Sequence, residues 1–377
     1  MNRVLTIVGS SARAAAFSAV RAGCHVRAAD LFADVDLCRI CADTRVGIYP
    51  AGLAAVVRGP QGGAWMYTGA LENHPSLVDA MARARPLWGN PADVLCRVRS
   101  PRLVAETLRK HGLSCPRVTM DSQAVPRDGS WLSKPCRSAG GVRIAVWDHN
   151  SPAASRSHGR YFQQFIEGTA YSAVYVAARG HARLLGVTRQ LIGQSWTGAT
   201  GFRYCGSIGP IELPAAATDR FAAIGEVLAG EFKLVGLFGV DAIVNSAGVW
   251  PVEVNPRYTA SVEILERAGG VRAIELHAAA CEENELPKRV ERTNGPVSGK
   301  AIVFASSQLE ISAAWTDRAL AANDDRRPMW ADIPAEGSMI EPGWPIVTVL
   351  VDAPDEAAVD HALRENAEKV RAQLRVG

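Results

Sequence analysis

Short apolar runs alternate with amphipathic helical stretches over the first third of the chain. Val4 to Val8 reads as a buried strand, then Gly9-Ser10-Ser11 leads into an Ala-rich helix from about Ala12 to Ala22, with Gly23 at the position of a helix-ending glycine. A second strand, His25 to Ala29, ends at Asp30. This βαβ opening predicts an α/β fold with a doubly wound parallel sheet. The alternation continues through a strand at Trp65 to Thr68, a loop over Gly69 to Asn73, a helix over Pro75 to Arg83, a short strand at Pro86 to Trp88 and a helix over Leu103 to His111. These elements make a first unit, residues 1–116.

From Trp131 the pattern changes to strands separated by glycine turns: Trp131–Lys134, Val142–Trp147, Tyr161–Ile166, Tyr171–Ala177, Ala182–Gln190, Val235–Val244 and Val249–Asn255. Helices are expected over Thr218–Glu231 and Ser261–Glu283, completing a unit over residues 117–290. A polar linker, Lys288 to Pro296, leads to a small β-rich unit over 296–377 that closes with a helix at Asp355–Leu374.

Composition narrows the function classes. A chain of 377 residues holds two or three domains at about 150 residues each, and 48% apolar with 21% charged residues is globular composition. A net charge of +3, scattered along the chain, gives no basic face for nucleic acid. No run approaches the roughly 18 uncharged apolar residues of a membrane span. The chain opens with Asn2-Arg3 and a short strand in place of a secretory apolar region, so the eight cysteines read as reduced thiols of a cytoplasmic protein. Cys38 and Cys41 form a lone CxxC, half of a zinc site, and read as packing thiols. The turn Gly9 to Ala14 lacks the second and third glycines of a dinucleotide fingerprint, which sets NAD and FAD aside.

The strongest chemical signal is the segment Gly239 to Arg257. A three-residue loop at Ser246 to Gly248 would place Asp241 opposite Glu253, and Asn255, two residues on, shares the face of Glu253. Two carboxylates and an amide oxygen among apolar neighbours call for a cation, and magnesium takes one or two protein carboxylates while filling its other positions with water and phosphate. A second signal is Trp131-Leu-Ser-Lys134-Pro135 followed by Arg137-Ser138-Ala139-Gly140-Gly141. A strand-end lysine beside a small flexible loop can neutralise and cradle phosphates. The lysine precedes the glycines, so this is not a Walker loop. Tyr161 to Gly168 is an apolar strand with a polar end.

In this order the motifs resemble the ATP-grasp superfamily: a lysine strand with a glycine-rich loop, a strand of the form Q-x-F-I-E-G, a distant Asp, then Glu253-Val-Asn-Pro-Arg257. The resemblance runs over roughly residues 100–290, and the flanking units also look like that family's. It implies an ATP-grasp fold of two α+β subdomains, with ATP and Mg2+ between them, and a carboxylate–amine ligase that forms an acyl phosphate and releases ADP and phosphate. It further implies that Lys134 binds phosphates, that Ser138, Ala139, Gly140 and Gly141 form a closing loop, and that Gln163, Gln164, Phe165 and Ile166, with Glu167, border the adenine and ribose. Asp241, Glu253 and Asn255 would hold magnesium, and Arg257 with Lys134 would act on the transferring phosphate. The sequence departs from the family where an early lysine is common: Arg99 or Arg102 stands there, Arg102 being assigned to ATP. Ala170 stands where an acid commonly holds the ribose.

More narrowly, Gly9–Ala16, Ala29–Asp34 and Tyr67–Pro75 resemble ATP-grasp proteins that accompany tetrahydromethanopterin-linked one-carbon enzymes, which implies a substrate connected with a one-carbon carrier. Candidates for gripping small-molecule acid and amine substrates are Ser10, Ser11 and Arg13 at a helix start and Glu72 and Asn73 on a strand-end loop, where a doubly wound sheet places its ligand crevice. Arg189 and Arg203 flank the glycine-rich stretch 193–209 and are candidates for a second carboxylate. The competing reading is an ATP-binding regulatory or assembly protein without ligase turnover. A carboxylase is a third class, though no biotin-attachment segment is visible. Oligomeric state is left open, a homodimer included.

Overall fold

The computed structural model describes residues 3–45, 48–60, 62–151, 159–288, 290, 295–323 and 327–375. Its first sheet contains β1 (Val4–Val8), β2 (His25–Asp30), β3 (Ala42–Arg45) and β4 (Ala64–Tyr67), all parallel, in the order β3-β2-β1-β4. The strand expected at Pro86–Trp88 reduces to one bridge between Trp65 and Leu87; Pro86 has no N–H to extend a ladder. Short helices at Val35–Ile40, Leu53–Arg58 and Ala92–Val98, absent from the sequence reading, fill the connections.

A small antiparallel sheet follows: β5 (Val118–Thr119), β6 (Asp128–Pro135), β7 (Ala145–Asp148) and β8 (Arg160–Gln164), ordered β5-β8-β6-β7. The main sheet takes β9 (Thr169–Ala178), β10 (His181–Ile192), β11 (Tyr204–Gly209), β12 (Gly236–Asn245), β13 (Gly248–Asn255) and β14 (Val297–Phe304). Beyond these, β15 (Leu309–Glu310) pairs with β17 (Met339–Ile340), while β16 (Trp330–Ala331) and β18 (Pro345–Ala353) join the main sheet, whose order is β13-β12-β9-β10-β11-β14-β18-β16. Strands of the last segment are therefore hydrogen-bonded directly to β11 of the preceding one.

Two cores explain why β9 is apolar on consecutive residues. Ala173, Tyr175 and Ala177 join one cluster with Phe221, Ile224 and Leu228 of the helix Ala215–Phe232, and Tyr175 stacks on Phe238 with ring centroids 4.7 Å apart. Val174, Val176 and Ala178 belong to a cluster on the other face, with Leu237, the alanines of the helix Arg13–Arg21 and Val262 and Leu265 of the helix Ala260–Gly269. A strand covered on both faces loses its polar alternation. The same packing docks the first unit onto the main sheet. The single helix expected over Ser261–Glu283 breaks at Gly270, whose φ of 65° caps the first piece in a left-handed turn; the chain resumes as Ala273–Ala278 and a π-turn to Glu283. Among the described residues no helix is long and apolar enough to cross a membrane.

Candidate active site

The small sheet, the main sheet and the first unit enclose a cleft of about 850 Å³, toward the upper end of the roughly 300–1,000 Å³ usual for ligand pockets. At its metal-like end the β12–β13 ladder pairs Asp241 with Glu253 and Gly239 with Asn255. The route to this register differs from the one expected. The turn has two residues, with Asn245 paired to Gly248, and a bulge between Asp241 and Ala242 leaves Val252 as the extra residue. The two differences cancel at the functional pair. The Val252 carbonyl accepts from Lys134 Nζ at 3.4 Å and from Gln163 Nε2 at 3.2 Å.

The electrostatics divide the two carboxylates. Burial would raise Glu253, but the charges of Arg99 and Lys134 outweigh it and hold the carboxyl below its usual range; Arg99 Nη1 donates to Glu253 Oε1 at 2.6 Å. Asp241 accepts from neutral groups, Gln190 Nε2 at 3.1 Å and Asn255 Nδ2 at 3.0 Å, with the Ser172 hydroxyl as a further partner. Burial and the neighbouring Glu253 push it up to about 6. Its charge is thus stabilised by no adjacent lysine or arginine in hydrogen-bond contact, which is the deficit a divalent cation would supply. Among the described residues no three His, Cys, Asp or Glu side chains converge on a metal-like point; the oxygens that would be open to a cation here are those of the two carboxylates and the amide oxygen of Asn255. That oxygen accepts from Arg257 Nη2 at 3.2 Å.

Lys134 is buried, donates to Gln163 Oε1 at 3.1 Å and lies 5.7 Å from the Tyr161 ring centroid. Burial opposes its charge, yet Tyr161 and Glu253 prevail and raise its pKa. The glycine loop is docked over the cleft: Tyr204 N–H donates to the Gly140 carbonyl at 3.0 Å, and the Ser138 carbonyl accepts from Asn73 Nδ2 at 3.1 Å and Arg99 Nη2 at 3.4 Å. Gly141 has φ 74°, and a Cβ there would lie 1.9 Å from the Phe202 carbonyl oxygen; only glycine fits this contact.

Gln163, Gln164, Phe165 and Ile166 line the cleft, as do Ala139, Gly140, Gly141, Ala170 and Arg257. Glu167 instead faces solvent, its carbonyl held by Asn245 Nδ2 at 2.8 Å. Arg102 is also displaced from the expected role: it projects from the exposed side of the helix Pro101–Lys110 and pairs with Glu106 one turn on. Arg99 takes the site, between Glu253 and Asn73. Arg189 lies outside the cleft on Glu356 and Asp360 of the closing helix, because strand alternation sends its neighbour Gln190 inward.

The first-unit candidates reach the same region, most of them with their hydrogen bonds already used. Ser10 Oγ donates to the Gly69 carbonyl at 3.0 Å, and Ser11 lines the cleft exposed. Arg13 does not offer its guanidinium to a ligand, since it is buried against Glu263 and Asp332. Glu72, fully enclosed, holds Arg257 at 2.9 Å and is a support behind the cleft. Sequence reading missed Gln190, Lys300 paired with Glu263, and Asn90. Asn90 accepts from Val235 N–H at 2.9 Å and donates to the Pro256 carbonyl at 3.0 Å, which fixes the turn ahead of Arg257. Isolated polar residues carry no spacing pattern that could have marked them.

A main sheet facing a small antiparallel sheet across a cleft, with paired strand carboxylates at one end and a lysine under a glycine loop, is the arrangement of the ATP-grasp fold. The ATP-grasp domain model matches residues 100–261. In sequence the chain is 26% identical over 207 residues to an uncharacterized protein of Methanocaldococcus jannaschii, spanning 55% of this chain and 46% of that one; the chain spans less than half the length of the curated relatives it matches. In structure it is similar to N5-carboxyaminoimidazole ribonucleotide synthetase in complex with ADP, with TM-score 0.73, 12% identity and coverage of 99% of this chain and 98% of that one. It is likewise similar to L-amino acid ligase from Bacillus licheniformis, with TM-score 0.72, 16% identity and coverage of 97% and 96%.

Proposed function

We propose that the protein is an ADP-forming ligase that activates a carboxylate as an acyl phosphate and couples it to an amine. The observation that carries this reading is the convergence of Asp241, Glu253 and Asn255 on one face of the β12–β13 ladder, beside Lys134 and Arg257 in a single cleft. The named activities of the structurally similar synthetase and amino acid ligase support it, and the cleft's residues account for each requirement.

A carboxylate attacking a triphosphate must approach several negative charges, so catalysis is mostly positioning and charge neutralisation. Lys134, kept protonated by Tyr161 and Glu253, takes one side of the phosphates. Arg257, aimed by Glu72 and by the Asn255 oxygen, takes the other. Magnesium at Asp241, Glu253 and Asn255 would neutralise phosphate oxygens. The loop Arg137–Gly141 covers the phosphates with its N–H groups and excludes water that would hydrolyse an acyl phosphate. Gln163 to Ile166 border the base. Ala170 at the family's acid position leaves the ribose fewer charged partners. The proposed substrates are small molecules, the proposed setting cytoplasmic, and the resemblance of the first unit to proteins of tetrahydromethanopterin-linked one-carbon metabolism supports a substrate on that side of chemistry. The test is a screen of acids paired with amines in Mg-ATP, following ADP and phosphate. Acid-dependent ADP release supports the ligase. Tight Mg-ATP binding with no turnover across the screen would favour the regulatory reading.

A further inference from the structure

Five cationic side chains line the cleft: Arg13, Lys134, Arg203, Arg257 and Lys300. Four have oxygen partners. Arg13 and Lys300 are paired to Glu263, Arg257 to Glu72, and Lys134 to Gln163. Among the described residues the Arg203 guanidinium alone of the five has none; it lies 4.0 Å from the centroid of the Phe304 ring. A Cβ on Gly343 would be 3.6 Å from its Nη1. Burial without a counter-ion lowers the Arg203 pKa. Next to it, Trp344 is 52% exposed, with its ring edge-on to Phe32 at 6.5 Å, and both rings line the same cleft. A half-exposed tryptophan inside a concave site contributes little to the core and offers a flat apolar face to a ligand.

The backbone of Arg203 adjoins the glycine loop, its Cα 3.4 Å from where a Cβ on Gly141 would sit, while its guanidinium lies over Phe304. Arg203 directly precedes β11 and stacks on Phe304 of β14, whereas Asp241 is on β12, three strands from β11 and four from β14. At about 4.8 Å per strand the backbones of β11 and β14 are roughly 14–19 Å across the sheet from that of β12. A group held there is the far end of a substrate whose reacting end is at the phosphates. We propose that this corner is a specificity subsite for a substrate that carries a planar aromatic ring with an anionic group, the ring against Trp344 and Phe32 and the anion on Arg203. The proposal rests on the ligase reading and names the substrate class for it.

The test titrates the full-length protein with 2-naphthoate, 2-naphthamide and cyclohexanecarboxylate, each with and without Mg-ADP, and measures Mg-ADP binding separately. Naphthoate is expected to bind better than both controls. Arg203→Met should weaken naphthoate by about 10- to 100-fold, the worth of a charged hydrogen bond, and Trp344→Ala by about 2- to 10-fold, with Mg-ADP affinity unchanged as the control for folding. Equal binding of the three compounds overturns the subsite, as does an Arg203→Met effect confined to Mg-ADP, which would assign the arginine to the nucleotide. Failure of the wild type to bind Mg-ADP would strike the ligase reading instead, while the naphthoate titrations without nucleotide still decide the subsite.

Discussion

Replacing Arg99 and Arg102 separately by methionine should give unequal losses of stability, although the two lie three residues apart. Arg99 is enclosed, donates to Glu253 Oε1 at 2.6 Å and to Asn73 Oδ1 at 3.3 Å, and helps hold the Ser138 carbonyl. Its removal leaves Glu253 with the charges of Lys134 and Arg257 alone. Breaking a fully buried pair from one side costs about 3–5 kcal/mol; with the Glu253 side chain 26% exposed the lower end applies, about 3 kcal/mol, and at about 2 °C per kcal/mol that is a fall in Tm of roughly 6 °C. Arg102 is exposed and its pair with Glu106 is a helix-surface contact, worth about 0.3–0.5 kcal/mol, so Arg102→Met should shift Tm by about 1 °C at most. Magnesium with ADP should recover part of the Arg99→Met loss by neutralising Glu253. The assay is thermal unfolding of both variants with and without Mg-ADP. Equal melting temperatures, or a larger loss for Arg102→Met, would refute the assignment of Arg99 to the site.

The pH dependence of metal binding follows from Asp241, whose pKa is raised to about 6 from 3.8. The folded state holds the proton more tightly, so this group's effect is a destabilisation that develops as pH rises from about 4 through about 6, and metal-free Asp241→Asn should be more stable than wild type at neutral pH. Magnesium needs the ionised form, so its affinity should fall about tenfold per pH unit below pH 6; a titration flat from pH 7 to pH 5 would contradict this. Gly141→Ala should lower ATP turnover at least tenfold with little change in circular dichroism, because its Cβ would collide with the Phe202 carbonyl and lift the loop; unchanged kcat/KM would remove the loop from the mechanism. Hydrogen exchange of residues 137–141 should slow on adding a Mg-ATP analogue, and equal exchange in both states would refute a lid.

The strand and helix pattern was legible wherever an apolar run or one periodicity was long, as in β9, β10, β12, β13 and the helix Ala215–Phe232, whereas β11 lay hidden in a stretch read only as glycine-rich. Short connectors such as Val35–Ile40 carry too few residues for a period to emerge. The Asp241–Glu253 pairing was legible because alternation fixes a strand's face, even though the turn was a residue shorter than expected and the bulge at Val252 made up the difference. Long-range partners were not: nothing local in Arg13 announces Glu263, and nothing in Arg189 announces the closing helix. Choosing between Arg99 and Arg102 needed the phase of a helix whose start is set by the Ser100 cap. Arg203 was singled out by its place beside a glycine-rich stretch, but its lack of an oxygen partner among the described residues is a property of the folded cleft.

The most direct measurement of the central claim is nucleotide product analysis in Mg-ATP with hydroxylamine present across a panel of carboxylic acids, run in parallel on wild type and Glu253→Gln. Acyl-phosphate chemistry predicts acid-dependent ADP with a matching hydroxamate, and loss of both by at least about 100-fold in the variant. AMP and pyrophosphate as the products, or ADP release that is indifferent to the acid and to Glu253, would contradict it.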